Sequence, residues 1–212
     1  MKALVAAVAS VVLYVCSMGA VQAADKHLFY VHGCCVKSSS DPKVQEYETI
    51  VQKLKDSGFN VGYELRTADV GDNDAAVQAY AAQIADKVKA LLANGTPAKN
   101  ITVAGYSLGS LTSMVAASQI ANPDVNIVLL AGCPTGASIK VNIDYSKVQG
   151  RILSVTNKGD DKFGSCEGKF PGVSTFKEVA LDAGQGHTLF RLTKDNYMSQ
   201  WMSPMQDWTG SN

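Results

Sequence analysis

Gly105-Tyr106-Ser107-Leu108-Gly109 sits where a strand-like run, Ile101 to Gly105, leads with no spacer into a helical pattern starting near Leu108. A serine in so tight a turn takes a strained backbone, and flanking residues without a Cβ let strand and helix close up until the hydroxyl projects outward. That junction is what makes Gly-x-Ser-x-Gly a nucleophile elbow rather than a chance pattern, with Gly105 and Gly109 providing room. Tyr106 and Leu108 line the pocket or pack beneath it.

The rest of the chain repeats the same alternation. Strand-like runs fall at Leu28 to His32, Phe59 to Leu65, Ile101 to Gly105, Asn126 to Ala131, Ile152 to Thr156 and Phe176 to Leu181. Asp41 followed by Pro42 opens a helix whose Val44, Tyr47, Val51 and Leu54 share one face before Gly58 stops it. From Asp74 to Asn94, Val77, Tyr80, Ile84, Val88 and Leu91 form a second stripe ended by Gly95. A third helix, rich in Ala and Ser, runs from Leu108 to about Ile120. Strands alternating with helices predict an α/β fold: a doubly wound, mostly parallel six-stranded sheet with helices on both faces. At the C-terminus, Lys194 to Trp201 and Ser203-Pro204-Met205-Gln206 predict two short helices, the second opening with a capping box, and Trp201 and Trp208 read as packing residues.

An elbow serine needs a base and an acid. Of three histidines, His27 precedes the first strand and His32 ends it, so His187, in the loop Ala183-Gly184-Gln185-Gly186-His187, is the one downstream of Ser107. Between them, the run Ile152 to Thr156 is followed by Asn157-Lys158-Gly159-Asp160-Asp161, where Asp160 is the candidate acid and Asp161 its rival. Serine is a poor nucleophile until an imidazole takes its proton, and a carboxylate fixes that imidazole's tautomer. The first strand ends in His32-Gly33-Cys34-Cys35, whose amides, with the N–H of Leu108, are candidates for an oxyanion hole. His32, Cys34 and Cys35 lack a second set of ligands at zinc spacing, so neither metal nor cofactor is expected.

This arrangement resembles the α/β-hydrolase superfamily over nearly the whole chain after the leader: His32-Gly33, the elbow around Ser107, the acid loop at Asp160, and Gly186-His187. In particular it resembles the small, lidless bacterial members, since Gly132 to Gly150, where relatives insert a lid, leaves no room for a large one. The resemblance implies nucleophile, acid and base at Ser107, Asp160 and His187. It implies a serine hydrolase acting on a carboxylic ester through an acyl-enzyme. Thioesterase, lactonase, peptidase or acyltransferase chemistry on the same residues is the alternative, and a non-catalytic binding protein the more remote one. Two adjacent aspartates, and Cys34 and Cys35 beside an oxyanion loop, depart from the family pattern.

Residues 1–23 read as a signal peptide: Lys2, an apolar run from Ala3 to Val15, and Val21-Gln22-Ala23 before Ala24. Residues 24–212 then form a single domain, exported to the periplasm or medium, with no stable membrane insertion expected once the leader is cut. With 19 basic and 19 acidic residues and no basic run, nothing suggests nucleic acid, and small ester-like molecules fit better as partners. Cys16 falls in the leader, leaving Cys34, Cys35, Cys133 and Cys166 for an oxidising compartment. Four cysteines allow three pairings; Cys133 with Cys166 is the favoured one, because each follows a strand expected to neighbour the other.

Overall fold

The computed structural model describes residues 25–67, 73–136 and 140–210. The leader expected over residues 1–23 lies outside them. Strand β3 (Ile101–Tyr106) and strand β4 (Asn126–Leu130) are buried at every position. Strands β2 (Phe59–Tyr63) and β8 (Thr175–Leu181) instead alternate between covered and exposed residues. Continuous burial belongs in the middle of a sheet and alternation at its margin. The order is β2-β1-β3-β4-β6-β8, with β1 at Lys26–Val31 and β6 at Arg151–Asn157. Every neighbouring pair in that sheet is parallel. Two further strands, β5 (Cys133–Pro134) and β7 (Phe163–Gly164), form a small antiparallel pair beyond its carboxyl edge.

Helix α1 (Pro42–Asp56) starts as the sequence dictates: the Asp41 carboxylate accepts from the Lys43 N–H, and Pro42 occupies the first turn, where a missing N–H costs nothing. Helix α2 (Asp74–Ala93) is capped by Asn73 and stopped by Gly95 at φ +87°. Helix α3 (Leu108–Ile120) is buried almost throughout. It tolerates Ser110, Thr112 and Ser113 because each hydroxyl donates to a backbone carbonyl: Ser110 to Gly105 and Leu130, Thr112 to Leu108, Ser113 to Gly109. Helices α2 and α3 pack together on one face. Helix α4 (Asp195–Gly210) joins α1 on the other, through Lys53 with Asp195 and Gln206 with Ser57. Right-handed crossovers from β1 leftward to β2 and then rightward to β3 place the helices this way.

The two C-terminal helices expected around Pro204 are a single one. Interior proline costs about 3 kcal/mol. Met198, Trp201, Met202, Met205 and Trp208 are all buried on one stripe spanning that position. Burying each such side chain is worth about 1.5–3 kcal/mol, so the common face outweighs the break. Ser203 therefore lies within the helix rather than capping it, and Gln206 reaches to Ser57.

Two glycines set how closely α3 approaches the sheet. A Cβ on Gly105 would overlap the backbone carbonyl of Gly109, and a Cβ on Gly109 would overlap the carbonyl of Val31, neither of which can swing aside. Gly109→Ala is therefore expected to destabilise the protein by about 3 kcal/mol or more. Gly58→Ala, with nothing within 4 Å and only its φ of +89° to strain, should cost about 1–2 kcal/mol. Urea unfolding midpoints of the two variants decide this; equal midpoints would contradict the close approach.

Candidate active site

The carboxyl ends of β1, β3, β6 and β8 converge where strand order reverses direction between β1 and β3, the place where open α/β sheets expose loops from both sides of a crevice. Ser107 occupies the first turn after β3 with φ 57° and ψ −117°, a left-handed conformation few side chains adopt. The turn is held because the Ser107 N–H donates to Leu130 O, and Ser107 O accepts from the amides of Ser110 and Leu111. The amides of Leu108 and its neighbours open helix α3 and have no earlier helical carbonyl to bond, so the positive end of that helix faces the serine.

His187 follows β8, on a 3₁₀ turn over Gly186–Arg191. Its Nε2 lies 2.8 Å from Ser107 Oγ and its Nδ1 2.8 Å from Asp160 Oδ2. Only one arrangement of protons satisfies both bonds in the neutral ring: Nδ1–H donates to the carboxylate, and Nε2 accepts from the hydroxyl. The other oxygen of Asp160 accepts from the N–H groups of Lys162 and Phe163. Burial pushes the Asp160 carboxyl up, but its bond with His187 and these two amides outweigh that and hold it below its ordinary value. Of the adjacent aspartates, Asp160 faces the imidazole with a fully covered side chain, and Asp161 is exposed.

Three residues with no sequence motif hold His187 in place. The Tyr106 hydroxyl donates to His187 O at 2.9 Å. The Asn157 amide, at the end of β6, donates to the carbonyls of Gly184 and Gly186, and its oxygen accepts from Ala183 N–H. Phe163 stacks on the imidazole with ring centroids 5.1 Å apart. The signals in the sequence were faint: a polar residue closing a buried strand, a tyrosine beside the serine, an aromatic three positions after the acid.

Loops that carry Asp160 and Phe163 are tied down beside them. Cys133 bonds to Cys166, and β5 pairs with β7 across the same span, with Thr135 N–H donating to Lys162 O. Closing a loop over 33 residues is worth about 4 kcal/mol in the chain-entropy account. The other two cysteines among the described residues, Cys34 and Cys35, are joined to each other. That bond lies at the mouth of the cleft, next to the end of β1.

Behind it, His32 is buried with Nδ1–H donating to Gly33 O at 2.7 Å while Nε2 accepts the Arg66 N–H at 2.9 Å. Gly33 has no side chain for a steric reason: a Cβ would press on the Tyr106 ring at 3.0 Å and the Tyr47 hydroxyl at 3.2 Å. Together these segments enclose a cleft of about 350 Å³ lined by Cys34, Cys35, Tyr47, Tyr106, Ser107 and His187, with Lys43, Lys162, Thr188 and Arg191 at its sides. Leu108 packs beneath it with a buried side chain, so only its amide is available to the cleft. Among the described residues, no group of three or more His, Cys, Asp or Glu is placed to hold a metal ion, and no helix is long and apolar enough to cross a membrane.

A hydroxyl bonded to a neutral imidazole, itself bonded to a buried carboxylate and opposite a helix N-terminus, can deliver an alkoxide to an electrophilic carbon and stabilise the oxyanion that results. Residues 58–154 match the family model described as Alpha/beta hydrolase. No curated protein matches the sequence. Among solved structures, the chain is similar to Arabidopsis thaliana SOBER1, at 14% identity and a TM-score of 0.56, covering 89% of this chain and 99% of that one. It is also similar to the Francisella virulence factor BioJ, at 12% identity and a TM-score of 0.61, covering 91% and 79%. A phospholipase/carboxylesterase from Dyadobacter fermentans matches at 17% identity and a TM-score of 0.54, covering 84% and 88%. At these identities the likeness is one of fold.

Burial, then the charge of Arg66, lowers the His32 pKa to about 4, against a weaker opposing pull from the Gly33 carbonyl. The unfolded chain thus binds a proton at about pH 6.5 that the folded chain refuses, and stability falls as pH drops from about 6.5 toward 4. Asp160 acts in a lower window: its depressed pKa gives stability above about pH 4 that is lost only as pH falls further. Urea midpoints between pH 7 and 4.5 should therefore decline in the parent by on the order of 3 kcal/mol at the limit of the His32 window and decline less in His32→Gln. Parallel slopes in the two proteins would refute the assignment.

Proposed function

We propose that this chain is a member of the α/β-hydrolase superfamily and an exported serine hydrolase that cleaves carboxylic esters of small molecules through an acyl-enzyme, a reading supported by the match of residues 58–154 to the Alpha/beta hydrolase family model. One observation carries the reading: the continuous line of hydrogen bonds from Ser107 Oγ through His187 to Asp160, at 2.8 Å in each step. In this reading His187 Nε2 takes the Ser107 proton as Oγ bonds to the ester carbonyl carbon. The oxyanion forms against the amides of Leu108 and Cys34, and Asp160 steadies the imidazolium. The imidazolium then gives its proton to the departing alcohol, leaving an acyl group on Ser107. A water, deprotonated by the same imidazole, releases the acid and restores the hydroxyl. The size of the cleft, about 350 Å³, favours a small substrate. Two disulfides favour an oxidising compartment.

A fluorophosphonate probe applied to the full chain should modify Ser107 alone, read by peptide mass spectrometry. Labelling that persists in Ser107→Ala would end this proposal. Asp160→Asn is expected to lower kcat on 4-nitrophenyl acetate by on the order of 10⁴-fold, because the wrong tautomer of His187 is then favoured. Asp161→Asn should change it less than about threefold, since that side chain is exposed and takes no part in the hydrogen-bonded line. The reverse ranking would move the acid to Asp161.

A further inference from the structure

The chain has equal numbers of acidic and basic residues, yet the charges lining the serine cleft are of one sign. Lys43 in the first turn of α1, Lys162 on the acid loop and Arg191 at the end of the 3₁₀ turn reach it from three elements. Among the described residues, no carboxylate lines it. Asp160 has no exposed side-chain surface, being committed to His187 and two amides. Glu46 is bonded to Arg191, fixing that guanidinium at the cleft while cancelling one positive charge, and Asp41 lies behind Lys43, accepting its backbone N–H. Lys43 is also held: its ammonium donates to Cys35 O at 2.6 Å, on the rim formed by the Cys34–Cys35 bond. The remainder, two lysines and a positioned guanidinium around a small concave site, concentrates positive potential where a substrate must enter.

Resting on the serine-hydrolase reading above, we propose that the substrate is an ester carrying an anionic group, such as a carboxylate, which Lys43, Lys162 and Arg191 receive while the ester carbonyl lies at Ser107. A neutral ester of the same shape would leave these cations solvated and gain nothing from them. Discrimination therefore comes from the charge, and it weakens as salt screens the half-buried Lys43 and the exposed Lys162.

Two substrate pairs with matched skeletons test this on the full chain at neutral pH. Hydrolysis of 4-acetoxybenzoate against its methyl ester places the charge on the leaving group, and monomethyl against dimethyl adipate places it on the acyl group. At 20 mM salt, kcat/KM for the anionic member of at least one pair should exceed that of the neutral member by about tenfold or more. The ratio should shrink toward one at 500 mM salt and in Lys43→Gln/Lys162→Gln. Lys162→Gln alone, at an exposed position, gives a partial fall if the double variant folds poorly. A ratio at or below one in both pairs, or a preference unmoved by both salt and the lysine changes, overturns the proposal. If Ser107 is labelled by the phosphonate in that case, the serine-hydrolase reading stands by itself; if neither labelling nor turnover of any ester occurs, both fall together.

Discussion

Backbone-to-backbone contact between helix α3 and strands β1 and β3 is the constraint on which the rest depends. Gly105 and Gly109 are the points of that contact, where any side chain would occupy the space of a carbonyl. Because the helix starts so close to the strand end, Ser107 has no route between them except a left-handed turn. At the points of contact the helix carries small residues, Gly109, Ser110 and Ser113, and the two serine hydroxyls donate to backbone carbonyls, while Leu111 and Met114 are buried elsewhere along it. A rigid sheet centre is thus brought right up to the serine, and the mobile-looking parts of the site are fastened to it from outside.

That fastening is done differently on each side. The loop after β6 is held by a disulfide, a two-residue antiparallel pair and the amides that Asp160 accepts from. The loop after β8 has no covalent tie among the described residues and relies on Asn157, whose amide spans Ala183, Gly184 and Gly186. The end of β1 is held by His32, which bonds at both ring nitrogens and is kept neutral by burial and the charge of Arg66. Each anchor places polar atoms where water is excluded, so each must be fully partnered to be stable.

The six strands and the first three helices were legible because apolar periodicity and the caps Asp41-Pro42, Gly58 and Gly95 agree with one another. The C-terminal region misled because Pro204 is a strong local signal, and the burial that overrides it depends on a sheet far away in sequence. Ser107, His187 and the Asp160–Asp161 pair stood out as candidates through motif and order, but their separations are tertiary facts. Spacing from the preceding strand favoured Asp160 over Asp161 only modestly, and the turn in which the Asp160 carboxylate accepts from the Lys162 and Phe163 N–H groups is not encoded in that spacing. Asn157 and Phe163 had no motif to announce them, and Tyr106 stood only at a variable position of one, since what they do is make one hydrogen bond network or one ring contact across a gap of many residues. The bond between Cys34 and Cys35 was readable only by elimination, as what remains once Cys133 is paired with Cys166.

Tyr106 precedes Ser107 directly in β3, and its hydroxyl grips the main chain of His187. Ser107 and His187 are therefore both referenced to one strand end, although 80 residues separate them in sequence. A displacement of the end of β3 would thus be shared by serine and histidine. The separation this arrangement protects is the 2.8 Å between Oγ and Nε2.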